Sequence, residues 1–139
     1  MLFPKKVKFR KWHTNRRDIR KASVATRGVS IAFGSHALKA MSAGRITSNQ
    51  IEAARKTATR ATKKTGKIWI RIFPDRPFTA KPAEVKMGKG KGDPQGFCVE
   101  VNPGKVLFEV DGVSDALAME VLRKAGTKLP VKTKVVRRN

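Results

Sequence analysis

Cysteine is all but missing: Cys98 stands alone in 139 residues, so no internal disulfide framework can form and a reducing compartment suits the chain. Histidine is nearly as scarce. His13 and His36 lie far apart in basic neighbourhoods, and with a single thiol they make no metal-ligand spacing. Nucleophile signatures are missing too. No Gly-x-Ser-x-Gly elbow occurs, and Cys98, between Phe97 and Val99, reads as a core thiol. The start, Met1-Leu2-Phe3-Pro4-Lys5-Lys6, lacks an apolar run of signal-peptide length, and no stretch approaches the span of a bilayer. A basic, acid-poor start of this kind also fits an organelle transit peptide. These gaps argue against an enzyme, a metal or cofactor site and a membrane protein.

Acids are the last scarcity and the most informative one. There are 10 Asp and Glu against 32 Lys and Arg, a net charge of +22 at pH 7. Like charges at this density on a small body repel one another unless a polyanion neutralises them, and nucleic acid does so with release of condensed counterions. The imbalance is also uneven along the chain. Residues 1–40 hold eleven basic groups and one acid, Asp18, whereas residues 93–125 hold six acids and three bases. One part of the fold is therefore expected to face water or protein while the rest faces phosphate.

Turning to what is present, residues 1–28 read as a basic arm attached to a single domain over residues 29–139. In an extended chain Lys6, Lys8 and Arg10 fall on one side and Val7 and Phe9 on the other, with Lys5, Lys11, Arg16 and Arg17 adding charge. Cations interleaved with Phe9 and Trp12 suit phosphate contact plus base stacking. Residues 29–33 alternate like a short strand ended by Gly34. Thr47 and Gln50 have capping-box spacing at the head of a helix over 47–65. Ile51, Ala54, Ala58 and Ala61 form its inner face, small enough to sit close against a sheet. Arg55, Lys56, Arg60, Lys63 and Lys64 form the outer face.

Residues 67–73 make the clearest strand, with three isoleucines on one face and Trp69, Arg71 and Phe73 on the other. Residues 97–101 and 106–110 read as a hairpin about the turn Asn102-Pro103-Gly104-Lys105. Ser114 caps a second helix that Gly126 ends, and residues 131–135 alternate as a last strand. The acids of this half read as ordinary solvent-facing groups. Strands and helices without a regular βαβα rhythm indicate an α+β fold, a compact mixed sheet with two helices packed on it.

Between Phe73 and Phe97 lie twenty-three residues with four prolines and four glycines, a stretch expected to lack regular structure. A functional loop is therefore placed at 74–96. At its centre, Lys86-Met87-Gly88-Lys89-Gly90-Lys91-Gly92 combines glycines that let backbone approach a phosphate with three mobile cations. It is not a nucleotide-binding loop. No Gly-x-x-x-x-Gly-Lys-Ser/Thr string occurs, and Asp93 stands where a Gly-x-Gly-x-x-Gly fingerprint needs its third glycine. A basic finger that orders on RNA is the better reading.

Six strings taken in order carry a family resemblance. They are Pro4-Lys5-Lys6-Val7-Lys8-Phe9-Arg10-Lys11, Gln50-Ile51-Glu52-Ala53-Ala54-Arg55 and Lys67-Ile68-Trp69-Ile70-Arg71-Ile72-Phe73-Pro74-Asp75, then Met87-Gly88-Lys89-Gly90-Lys91-Gly92, Pro103-Gly104-Lys105-Val106-Leu107-Phe108-Glu109 and Lys128-Leu129-Pro130-Val131-Lys132-Thr133-Lys134. Over nearly its whole length the chain resembles the bacterial-type large-subunit ribosomal protein sixteen family, itself related to the archaeal and eukaryotic L-ten-e family. The resemblance implies an α+β body set in large-subunit ribosomal RNA near the peptidyl-transferase centre. It implies contact with A-site tRNA, and secondarily P-site tRNA, and a role in subunit assembly without chemistry.

By the same resemblance Lys86, Lys89 and Lys91 reach towards tRNA, the arm lysines and arginines anchor in RNA, and Arg55 and Arg71 are body contacts. Neighbouring ribosomal proteins are the implied protein partners, a homo-oligomer is not expected, and the implied place is a bacterial cytoplasmic ribosome, with an organelle of bacterial descent as the alternative. The chain departs from the family at Lys86, where Arg is usual and the planar guanidinium fork is lost. It departs again at Phe97-Cys98-Val99-Glu100, where Tyr-Trp-Val-Ala is common, and in the longer segment Asn15 to Val24. A DNA-binding protein would need a base-reading helix, and the first helix shows mainly Lys, Arg and Thr. A membrane-active protein would need a broader apolar helix face than alanine supplies.

Overall fold

Thr47 sets the start of the first helix as its spacing indicates. In the computed structural model, which describes residues 1–139, the Thr47 hydroxyl accepts the Gln50 N–H while Gln50 Oε1 accepts the Thr47 N–H at 2.9 Å. Helix α1 runs over Ser48–Ala61 and buries Ile51, Ala54 and Ala58. It stops short of residue 65. Thr62 is its C-cap, and Lys63 and Lys64 turn into the left-handed region at φ 52° and 64° before Gly66. Helix α2, Asp115–Gly126, begins at Ser114, whose hydroxyl accepts the Leu117 N–H. Helix α1 packs on sheet as its alanine face indicates, touching β2, β3 and β5, and it also lies along α2, where small residues let the helix axes approach closely.

Seven strands complete the fold: β1 His36–Ala40, β2 Gly44–Thr47, β3 Lys67–Ile70, β4 Arg76–Ala80, β5 Asp93–Val101, β6 Val106–Asp111 and β7 Thr133–Arg137. The architecture is α+β. In place of one mixed sheet there are two, ordered β3-β6-β1-β7 and β2-β5-β4, and every pairing is antiparallel. Helix α2 lies across β1, β6 and β7. Leu38, Ile51, Phe108, Val110, Val121 and Leu122 form the centre of the core between them.

Three expectations need correction. The turn at 102–105 forms, with Gly104 at φ 97° and the Lys105 N–H on the Asn102 carbonyl at 3.2 Å, but it does not join a hairpin. The strands on either side of it, β5 and β6, belong to different sheets, so the turn is a corner. Gly104 N–H donates to the Ala40 carbonyl at 2.7 Å and Val106 N–H to the Gly28 carbonyl at 2.8 Å, which tie the corner to β1 and to the end of the arm. Residues 29–33 form no strand, and the amides of Ala32 and Phe33 serve a carboxylate described below. The stretch 74–96 is not structureless either: β4 and the first half of β5 pair across it, from Arg76↔Cys98 to Ala80↔Asp93, and only residues 81–92 form the tip.

Gly34 has a packing reason. A Cβ there would lie 2.6 Å from the Val110 carbonyl oxygen, a backbone atom that cannot yield. Gly34→Ala is therefore expected to destabilise the fold by about 1–3 kcal/mol through overpacking, read as a lowered urea midpoint with unchanged slope.

Candidate nucleic-acid interface

The residue that organises this side of the molecule is an acid. Glu109, on β6, is 0% exposed, so it is no solvent-facing group. Its carboxylate accepts the N–H groups of Ala32 at 2.7 Å, Phe33 at 2.9 Å and Gly34 at 3.3 Å, and pairs with Arg71 Nη1 at 2.8 Å. Burial on its own would raise this carboxyl, but the Ala32 and Phe33 amides and the Arg71 guanidinium outweigh it and hold it below the ordinary carboxylate range. Amides aimed at one carboxylate are not available to a strand ladder. Arg71, expected as an RNA contact of the body, has its guanidinium committed to Glu109 and a side chain only 20% exposed.

A second clamp holds the arm. Arg76, on β4, is buried at 8% exposure and donates to the carbonyls of His13 at 2.5 Å and Thr14 at 3.1 Å, with its guanidinium 5.4 Å from the Trp12 ring centroid. Arg45, on β2, donates to the Thr14 carbonyl at 2.5 Å. Glu100, on β5, pairs with Arg45 at 2.9 Å and with Arg76 at 3.4 Å, which neutralises two clustered guanidiniums. Lys91 of the finger tip donates to the Trp12 carbonyl, and Lys11 donates back to the Lys91 carbonyl at 3.4 Å. Arm and finger thus lie side by side. Sequence reasoning missed Arg45, Arg76 and Glu100. The only signal for Arg76 was an arginine inside a stretch read as structureless.

The remaining arm bases, Lys5, Lys6, Lys8, Arg10, Arg16 and Arg17, are exposed, and none forms an ion pair within the chain. At the tip, Gly88 and Gly90 take φ of 97° and 96° with Lys89 at 56° between them, and Lys81 donates to the Gly88 carbonyl. Lys86, Lys89 and Lys91 are exposed there, and Met87 is 95% exposed. A Cβ on Gly88 or Gly90 would meet nothing within 4 Å, so their freedom serves the turn, whereas Gly92 closes against the Ala80 backbone. On α1, Arg55, Lys56, Thr59, Arg60, Lys63 and Lys64 line a shallow hollow of about 500 Å³. Arg55 is tied to Glu52 at 2.5 Å, and that hydrogen bond lowers the Glu52 carboxyl. The hollow's other cations have no acid partner.

Two further acids are spent on the chain's own bases: Asp115 pairs with Arg137 at 3.0 Å and lies 3.5 Å from His36, and Glu120 pairs with Lys124 at 2.7 Å. Cys98 is buried, and burial pushes its thiol up, away from the reactive thiolate. No group of His, Cys, Asp and Glu could hold a metal ion, and no helix is long and apolar enough to cross a membrane. The arrangement spreads cations without acid partners over the arm, the tip and the outer face of α1.

The family model for ribosomal protein L16p/L10e matches residues 4–136. The chain belongs to that family. Among curated proteins, large ribosomal subunit protein uL16 of Rickettsia akari is 54% identical over 138 residues, covering 99% of this chain and 98% of the relative. The protein of the same name from Rickettsia africae is 53% identical with the same coverage. As a member of the L16p/L10e family the chain is a ribosomal protein and not an enzyme.

The pH dependence of this family member follows from Glu109. A carboxyl held below its ordinary value in the fold contributes stability that is present above that ordinary value and lost as pH falls through the folded one. Glu109→Gln is expected to cost about 3 kcal/mol at neutral pH, the scale of a broken buried ion pair. The gap between variant and parent should close as pH drops below about 4. Urea unfolding along a pH series reads both.

Proposed function

We propose that the chain is a structural constituent of the large ribosomal subunit that binds large-subunit ribosomal RNA through its arm and α1 hollow and presents the 81–92 tip to tRNA. What supports this is the pairing pattern. Half of the chain's acids, Glu52, Glu100, Glu109, Asp115 and Glu120, are paired with its own bases, while the bases of the arm, the tip and, apart from Arg55, the α1 hollow have no acid partner and are left for phosphate. Lys5, Lys6, Lys8, Arg10, Lys11, Arg16 and Arg17 contact ribosomal RNA, as do Lys56, Arg60, Lys63 and Lys64, with Arg55 contributing a guanidinium shared with Glu52. Residues Lys86 to Gly92 face A-site tRNA near the peptidyl-transferase centre, with P-site tRNA in reach. Neighbouring ribosomal proteins complete the surroundings, and the chain works as a monomer in the bacterial cytoplasm.

Lys91 has a separate task in this scheme, since it joins the finger to the arm at Trp12. Lys86→Ala with Lys89→Ala is therefore expected to weaken tRNA-dependent steps while subunit incorporation is kept, measured as tRNA occupancy of purified subunits against incorporation of the tagged chain. Loss of incorporation with normal tRNA occupancy would sink the assignment. Lys8→Ala should weaken binding to a large-subunit RNA fragment and reduce the log–log salt slope by about 1. An unchanged slope would remove Lys8 from the phosphate contacts.

A further inference from the structure

One face carries cations and aromatics that the arm, tip and α1 hollow do not use. Strand β3 is an edge strand, pairing only with β6. Its alternation turns Ile68 and Ile70 onto the core, which leaves Lys67 and Trp69 on the opposite face. The Phe33 ring stacks on Trp69, with centroids 5.9 Å apart and planes inclined by 18°. Cations flank the pair: Lys67 Nζ lies 5.4 Å from the Trp69 ring and the Arg71 guanidinium 5.4 Å from the Phe33 ring. Phe33 nevertheless remains 56% exposed, and Phe73, further along, 46%.

A phenylalanine this wet contributes little by burial, yet it is not loose. Its own N–H and those of Ala32 and Gly34 are held by the Glu109 carboxylate, which also holds Arg71. One buried acid therefore fixes both an exposed ring and the cation beside it. A preorganised π surface with a free ammonium beside it has the chemistry an unpaired nucleobase requires: the base stacks and Lys67 meets a flanking phosphate, while Arg71, held by Glu109, braces the Phe33 ring. Paired RNA offers no such base face, because its bases are already stacked inside the helix. Lys67, with Lys63 and Lys64 just before it in the chain, has no acid partner, so the charge of this face favours RNA over an ordinary protein surface.

We propose that Phe33 and Trp69, rimmed by Lys67 and Arg71, form a stacking platform for one unpaired base of RNA, extruded from a loop or bulge. This rests on the reading of the chain as a binder of ribosomal RNA and specifies the class of RNA element this face takes. The test uses the full chain carrying Trp12→Phe, which leaves Trp69 as the sole tryptophan. Two probes of equal charge are titrated, hexaadenylate and a ribose-phosphate hexamer without bases. Hexaadenylate is expected to quench Trp69 emission and to bind roughly tenfold more tightly than the abasic hexamer.

Phe33→Leu should abolish that preference while leaving the salt slope unchanged, since no charge is altered. Phe33→Tyr should retain the preference, and the urea midpoints of both variants report whether the fold is intact. Equal affinity of Phe33→Leu and parent for hexaadenylate, or Trp69 emission unchanged at saturation, would overturn the platform. Failure of the parent to bind either oligomer at low salt would overturn the RNA reading beneath it.

Discussion

Glu109 is a buried carboxylate in a chain with a large surplus of positive charge, and the face carrying residues 32–34 and Arg71 is arranged around it. An acid closed off from water is costly unless its lone pairs are met. Here three consecutive amides and one guanidinium meet them, drawn from residues 32–34 and from Arg71. Removing water from the site makes those bonds stronger, and the carboxyl stays ionised. The consequence reaches outward: the segment that would have been a strand becomes a bend, Phe33 lies flat on Trp69, and Arg71 is held beside the ring.

A similar logic holds the arm. Glu100 offsets the repulsion between Arg45 and Arg76, and the two guanidiniums then receive the carbonyls of His13 and Thr14. Lys91 and Lys11 stitch the tip to the same stretch. Glu100 and Glu109 are thus placed where they make Arg76 and Arg71 tolerable inside the fold, and the bases of the arm and tip are left without acid partners. This is how a strongly basic chain keeps a body stable enough to fold while leaving much of its surface positive charge uncompensated.

Legibility in the sequence tracked the range of the interaction. The capping box at Thr47, the Ser114 cap, the turn around Gly104 and the strand beginning at Lys67, though it ends at Ile70 rather than residue 73, were all readable, since each depends on residues within a few positions of one another. The pairing of β4 with β5 was not. Its partners are separated by the Gly/Lys tip, and Pro77 and Pro94 disguise both strands as loop. Nor was the separation of β5 from β6 into two sheets, because the same Pro-Gly turn serves a hairpin or a corner and only the pairing of β2 with β5 and β1 with β6 distinguishes them. Glu109 looked like any acid on the outward side of a strand. Nothing near it in sequence announces Ala32, Phe33 or Arg71.

By itself the sequence determined the helix starts, the α+β composition, the basic arm and tip, and membership of a ribosomal family through strings spread over the whole chain. These are properties of composition and short-range pattern. The tertiary structure alone decided which cations are free and which are consumed, and it made the exposed Phe33–Trp69 pair and the junction of arm and finger. Those features depend on hydrogen bonds between residues as far apart as Ala32 and Glu109 or Trp12 and Lys91, whose proximity exists only once the two sheets have closed on the core.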